Sequence, residues 1–332
     1  MKKILIKSVI LILILISALN IYNKFAYTNN TEEVFVNIES GSSLSSISEQ
    51  LKENGIINSR KYFILYTKLK GLENKIQAGK FRVPANIEMN LLLDKLQNPE
   101  QEYIKLTIPE GYTVYQIASL LEDNNLVRKD KFVKIAKKGS DELQIENNSE
   151  GIIYSLEGYI YPDTYYIPKG FQEKEIVKMT LERLDELFTE EYKEQAESLE
   201  MSIQEVITIA SLIEKEAAND HERKTISGVI YNRLKSNMPL QIDAAVIYGI
   251  TKGESHINRL LYKDLEFDSL YNTYKYKGLP PGPIGSPGLA SIEAALNPEA
   301  HDYLYYVLNK NGTKHIFSKT YKEHLNNKNS NN

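Results

Sequence analysis

SIQEVITIASLIEKEAANDHERKTISGVIYNRLKSNMPLQIDAAVIYGI, residues 202–250, is the stretch around which the rest of the chain is organised. Ser202 is followed three residues later by Glu205, the spacing of a capping box just before an apolar run. Ile203, Val206, Ile207, Ala210, Ile213 and Ala217 then recur at three- and four-residue steps, which puts them on one face of a helix. At about 100° per residue, Glu214 falls about 40° from Ala210, inside that stripe. Lys215 points the opposite way and Glu216 lies outside the stripe. A carboxylate on a burying face has two explanations. It is either a helix-edge Glu that reaches out or pairs with an arginine, Arg223 or Arg233, or it is a general acid. Burial disfavours the ionised form and so holds a proton ready for a leaving group. Spacing alone leaves both open.

Downstream, Asn219-Asp220 breaks the pattern, and 221–234 predicts a second helix with Ile226, Val229, Ile230 and Leu234 inward, closing an αα-hairpin. The phrase HERK lacks the second His of a zinc helix, and the five histidines have no ligand spacing, so no metal or other cofactor is expected. The Gly-x-Ser-x-Gly elbow of serine hydrolases is missing as well. Residues 271–288, YNTYKYKGLPPGPIGSPG, are too rich in Gly and Pro for a helix and predict a rigid loop lining something. Its Tyr and Asn side chains suit polysaccharide, with rings against sugar faces and amides to hydroxyls, although a purely structural proline loop fits equally. A short helix at 291–296, a buried strand at 303–308 and a second strand at 315–318 follow. The Asn/Lys-rich residues 326–332 read as a disordered tail.

Upstream, residues 173–200 carry a helical period through Ile176, Met179, Leu184 and Leu187, giving one or two scaffold helices. Residues 156–170 form a loop or edge strand containing Glu157 and Asp163. Further back lies a duplication. Residues 34–57 align without a gap on 104–127 at an offset of 70, matching Val36 to Leu106, Gly41 to Gly111, Leu51 to Leu121 and Asn54 to Asn124. Each copy reads as strand, glycine turn and amphipathic helix, and a similar strand–helix phrase occupies 78–96. The layout resembles LysM-like carbohydrate-binding modules; a structural α+β spacer is the other reading.

The chain of 332 residues is 25% charged and 42% apolar, with a net charge of −4 and no basic stripe to suit nucleic acid. It has no cysteine, which excludes disulfides, thiolate metal sites and a cysteine nucleophile. Residues 4–22 are nearly all apolar and long enough to span a membrane. Lys2, Lys3 and Lys7 outnumber Lys24, so the N-terminus is expected in the cytoplasm and everything beyond about residue 25 outside the cell membrane. A cleaved signal peptide is the alternative.

Taken together, LEGYIYPDTY, ASLIEKEA, GVIYNRL, PLQIDAAVIYG, YNTYKYKGLPPGPIGSPG and ALNP…YLYYV resemble the YceG-like family of membrane-anchored endolytic murein transglycosylases. The resemblance covers nearly the whole chain and is densest after residue 150. It implies an α+β fold: an anchor at 1–23, a linker at 24–33, a LysM-like repeat region at 34–145, a catalytic domain at 146–325 and the tail. The implied reaction cleaves the β-1,4 bond between N-acetylmuramic acid and N-acetylglucosamine in nascent strands and leaves a 1,6-anhydro end, terminating glycan elongation. Peptidoglycan strands, the membrane and peptidoglycan synthases are the implied partners. The family's catalytic glutamate matches Glu214, acting as acid and then base. Glu216, Glu157, Asp163 and Asp243 become candidate orienting or charge-stabilising groups, and Asn232, Gln241, Tyr271, Asn272 and Tyr274 candidate glycan holders. A hydrolytic muramidase and a non-catalytic peptidoglycan-binding anchor are the rival readings.

Overall fold

The computed structural model describes residues 33–85, 87–99, 103–139, 150–255, 257 and 259–331. The anchor expected at 1–23 and the linker up to residue 32 lie outside the described residues, among which no helix is long and apolar enough to cross a membrane. The chain divides into two compact units, Met1–Glu102 and Tyr103–Asn332.

In the first unit, β1 (Glu33–Ile38) leads into α1 (Leu44–Glu53), α2 (Arg60–Leu69), β2 (Gly79–Pro84) and α3 (Met89–Lys95). Ser43 and Ser59 cap the first two helices by accepting from the amides of Ser46 and Tyr62, so each start is fixed by a hydroxyl in its own sequence. β1 and β2 pair antiparallel, with Val36 opposite Phe81. Val36, Ile47, Leu51, Phe63, Phe81 and Leu92 fill the core between sheet and helices.

The second unit opens with the same order. β3 (Tyr103–Thr107), α4 (Val114–Asp123), α5 (Lys129–Lys138) and β4 (Thr164–Pro168) again give a β-α-α-β module, with β3 antiparallel to β4. Thr113 and Gln116 form a reciprocal capping box at the start of α4. The duplication read from the sequence is therefore a duplicated supersecondary unit. The sequence boundary near 145 is not where the compact units part: the second copy belongs with the C-terminal unit, because its sheet is completed by β4, beyond that boundary.

Helices α6 (Glu173–Leu187), α7 (Glu190–Ser198), α8 (Ile203–Glu216), α9 (Arg223–Lys235), α10 (Asp243–Thr251) and α11 (Leu289–Leu296) build the rest of that unit. α8 is its centre: Val206, Ile207, Ile209, Ala210, Leu212 and Ile213 are all fully buried. The Ser202–Glu205 capping box forms in both directions, as its spacing predicts. A short 3-10 turn, Asp220–Glu222, joins α8 to α9, so the second helix starts two residues later than its sequence period suggests.

Two C-terminal expectations are corrected. The strand β5 (Tyr305–Leu308) is shorter than predicted and half-buried, since its hairpin with β6 (His315–Ser318) turns only one face to the core. Residues 326–331 are helical and not a disordered tail: α12 (Tyr321–Asn331) is capped by Thr320 and Glu323, and the rings of Tyr321 and His324 lie against Tyr305. Polar composition hid that cap.

Gly228 lets residues 299–301 lie directly on α9. A side chain there would overlap the Glu299 carbonyl and the His301 ring. Gly228→Ala is therefore expected to destabilise the protein by about 1–3 kcal/mol, read as a lower melting midpoint.

Candidate active site

Glu214 sits at the last turn of α8, where the buried run meets the N-terminus of α11, and its side chain is 9% exposed. Three donors converge on it. Ser291 Oγ at 2.8 Å and the Gly288 amide at 3.0 Å both donate to Oε2, while Arg223 Nη1 lies 3.2 Å from Oε1. Gly288 and Ser291 belong to the first turn of α11, whose free amides and dipole favour an anion. Arg223 also donates to Asp220 Oδ1 at 3.1 Å and to Ser291 Oγ at 2.5 Å. Burial opposes the Arg223 charge, but Glu214 and Asp220 outweigh it and hold the guanidinium ionised. Of the two arginines named from sequence, Arg223 makes the pair; Arg233 instead donates to the carbonyls of Leu304, Leu240 and Pro239. Of the two readings left open by the helix wheel, the pairing with an arginine is present, and the carboxyl is surrounded with donors.

The Gly/Pro loop that delivers Gly288 is buried from Gly282 to Gly288. Proline makes this possible, since it brings no amide hydrogen to satisfy. The remaining amides have particular acceptors: Ile284 donates to Ser211 Oγ of α8 at 3.1 Å, Ser286 to the Tyr112 carbonyl at 2.8 Å, and Gly288 to Glu214. In return the Gly111 amide donates to the Ser286 carbonyl at 2.7 Å. This two-way bridge brings the turn between β3 and α4 into the site. Gly111 has φ +74°, and a side chain there would meet the Glu214 Cγ and the Lys215 Nζ, each at 3.6 Å.

Next to it in that turn, Glu110 lays its carboxylate against Gly288, on the side where a side chain would project. Desolvation pushes the Glu110 carboxyl above its ordinary value and the negative charge of Glu214 adds to this, with Arg223 opposing. Sequence reasoning missed Glu110, Gly288 and Ser291. One signal was available for Glu110, because the offset of 70 pairs it with Ser40, one of several differences around the shared glycine of the two turns.

The other candidates separate into two groups. Glu216, Asp243 and Tyr274 form a second acidic cluster: Tyr306 donates to Glu216 at 2.9 Å and Tyr274 to Asp243 at 2.6 Å. Desolvation pushes Glu216 up to about 7, with Asp243 adding to the shift and Tyr306 opposing it. Gln241 stands exposed two residues before Asp243, in a left-handed conformation at φ +52°. The remainder hold the scaffold. Asn232 spends its amide on the carbonyls of His301 and Tyr303, and the buried Asn272 ties down those of Leu265 and Phe267. Tyr271 packs in the core against Tyr248, and Asp163 pairs with Arg183 at 2.8 Å.

Residues 36–330 match the YceG-like family. An endolytic murein transglycosylase of Bacillus subtilis (strain 168) is 38% identical over 303 residues, spanning 88% of this chain and 82% of that protein. One from Streptococcus pneumoniae (serotype 2, strain D39) is 32% identical over 320 residues, 89% of this chain but 58% of its own length. The crystal structure of a putative yceG-like protein from Listeria monocytogenes superposes with a TM-score of 0.61 at 36% identity, covering 89% of this chain and 98% of that one.

Glu157, 1% exposed, has its own partners: it accepts from the Val114 amide at 2.9 Å and from Tyr248 Oη at 2.7 Å. Burial pushes it from 4.5 up to about 7, against both hydrogen bonds. Between those values the folded protein keeps the proton that the unfolded chain releases, so this group's contribution makes stability fall as pH rises through the window. Glu157→Gln is expected to flatten the decline in melting midpoint between about pH 5 and pH 8 and to melt higher than the parent at the upper end.

Proposed function

The chain belongs to the YceG-like family, and we propose that it is an endolytic peptidoglycan lytic transglycosylase working through Glu214. The names of its relatives point to the substrate, and one observation supports the residue: Glu214, the first of the two acids in ASLIEKEA, lies nearly buried among Arg223, Gly288 and Ser291.

In the proposed reaction the bond between C1 of N-acetylmuramic acid and O4 of N-acetylglucosamine breaks as the sugar's own O6 bonds to C1. O4 gains a proton and O6 loses one, so no water is consumed. A carboxyl can serve both transfers in turn because they occur at different moments of the same displacement. Ser291 suits such a cycle, since a hydroxyl donates to a carboxylate and accepts from a carboxyl proton. The Glu216, Asp243 and Tyr274 cluster, with Gln241 exposed beside it, supports a glycan-holding role for this end of α8 and α10. A second reading, a hydrolytic muramidase, draws on Glu110, because ordinary glycosidases use two carboxyls.

The finer assignments rest on layout. Two β-α-α-β modules with antiparallel sheets support LysM-like glycan binding, and the apolar stretch at 4–22 supports a single membrane anchor with the remaining chain outside. Peptidoglycan synthases would then lie within reach of an enzyme that terminates strands. Fractionated cells should hold the full chain in the membrane pellet, and recovery in the soluble fraction would remove the anchor.

Glu214→Gln should fold, still sediment with insoluble murein and release no anhydro-ended fragments from sacculi, a loss of about 10²-fold or more. Full activity in that variant would sink the assignment. Product masses separate the two readings, since anhydro ends lack one water.

A further inference from the structure

The environments of the two acids beside Gly288 differ. Glu214 accepts from a guanidinium, a backbone amide and a hydroxyl, a set that stabilises negative charge. Glu110 accepts no hydrogen bond among the described residues, and the charges that face it are those of Glu214 on α8, Arg223 on α9 and Asp220 on the intervening turn, with the Tyr161 hydroxyl near. Two of those three charges are negative. Arg223, paired with Glu214 and Asp220, opposes the push on Glu110, but desolvation and the Glu214 charge outweigh it. Glu110, which lacks such donors, is the carboxyl with a proton free to give away. The upward push on Glu110 from desolvation and from Glu214 agrees with this.

The first β-α-α-β copy supplies an internal control. Its turn has Ser40 where the second has Glu110, so a turn of the same layout accepts serine at this position. In the second copy the acid is delivered to Gly288 by the paired Gly111–Ser286 and Ser286–Tyr112 hydrogen bonds.

We propose that Glu110 is a second catalytic residue, the proton donor of the site, and that Glu214 works as the ionised partner against Arg223. This rests on the reading given under Proposed function and divides the two proton transfers assigned there. As C1–O4 breaks and O6 bonds to C1, the Glu110 proton goes to O4 and the O6 proton goes to Glu214. Return of that proton from Glu214 to Glu110 resets the pair, and the balance closes without water. Two carboxyls whose surroundings push them towards opposite protonation states are a recurring way of assigning acid and base.

The test compares full-length Glu110→Gln with Glu214→Gln on two substrates, murein sacculi and an N-acetylmuramic acid glycoside with a nitrophenol leaving group. Such a leaving group departs without a proton, so it needs no acid. Glu110→Gln should lose about 10²- to 10⁴-fold on murein and much less, within about tenfold, on the aryl glycoside. Glu214→Gln should be inactive on both. Glu110→Ser, which installs the residue of the first copy, should repeat the pattern with a melting midpoint close to the parent's, guarding against a folding defect in the amide. Near-normal cleavage of murein by the Glu110 variants, or equal losses on both substrates, would overturn the proposal and leave Glu214 as acid and base. Activity of Glu214→Gln on murein would instead overturn the functional reading, and this proposal with it.

Discussion

The Gly288 amide donating to Glu214 is the interaction on which the site depends. A loop buried from Gly282 to Gly288 must find acceptors for its amides inside the protein, and water is not available to help. Prolines reduce the number of donors; Ser211, the Tyr112 carbonyl and Glu214 take three of those that remain. The carboxylate proposed to react is thus also a structural acceptor, and moving it would cost the loop a partner. That coupling fixes its position more tightly than a free side chain on a helix end could be fixed.

The same loop explains why a duplicated β-α-α-β unit matters to the chemistry. Both copies make a sheet and two helices, and the second has its first turn bonded to the buried loop at Ser286. Gly111, at a positive φ, admits the close approach that a side chain would hinder, with the Glu214 Cγ and Lys215 Nζ already in contact range. The second copy therefore belongs to the C-terminal unit by hydrogen bonding as well as by sheet completion. Its polar turn is part of the site wall.

Local signals were legible in the sequence and partner choices were not. The Ser202 capping box, the buried stripe of α8, the two helices at 173–198 and the offset-70 duplication all depend on residues close in sequence, where spacing fixes geometry. Asn232 and Asn272 have the right chemistry to hold a sugar, yet backbone carbonyls in irregular segments claim their amides first. Tyr271 fell to the core for a similar reason: a ring in a Gly/Pro loop is as useful for filling space as for stacking. The helical tail escaped notice because Asn and Lys dominate its composition, whereas its start is decided by two residues, Thr320 and Glu323.

Glu216 and Glu214 show how two carboxylates on one turn can be given different surroundings. Glu216 faces a tyrosine hydroxyl and the Asp243 charge, with burial favouring its neutral form. Glu214, two residues earlier, faces a guanidinium and a helix N-terminus. At 100° per residue the two side chains diverge by about 200°, so they enter separate environments despite their closeness in sequence. The helix end thus sits between a donor-rich side and an acid-rich side. In the proposed reaction, a glycan crossing that end would have donors to stabilise charge on one side and acceptors for sugar hydroxyls on the other.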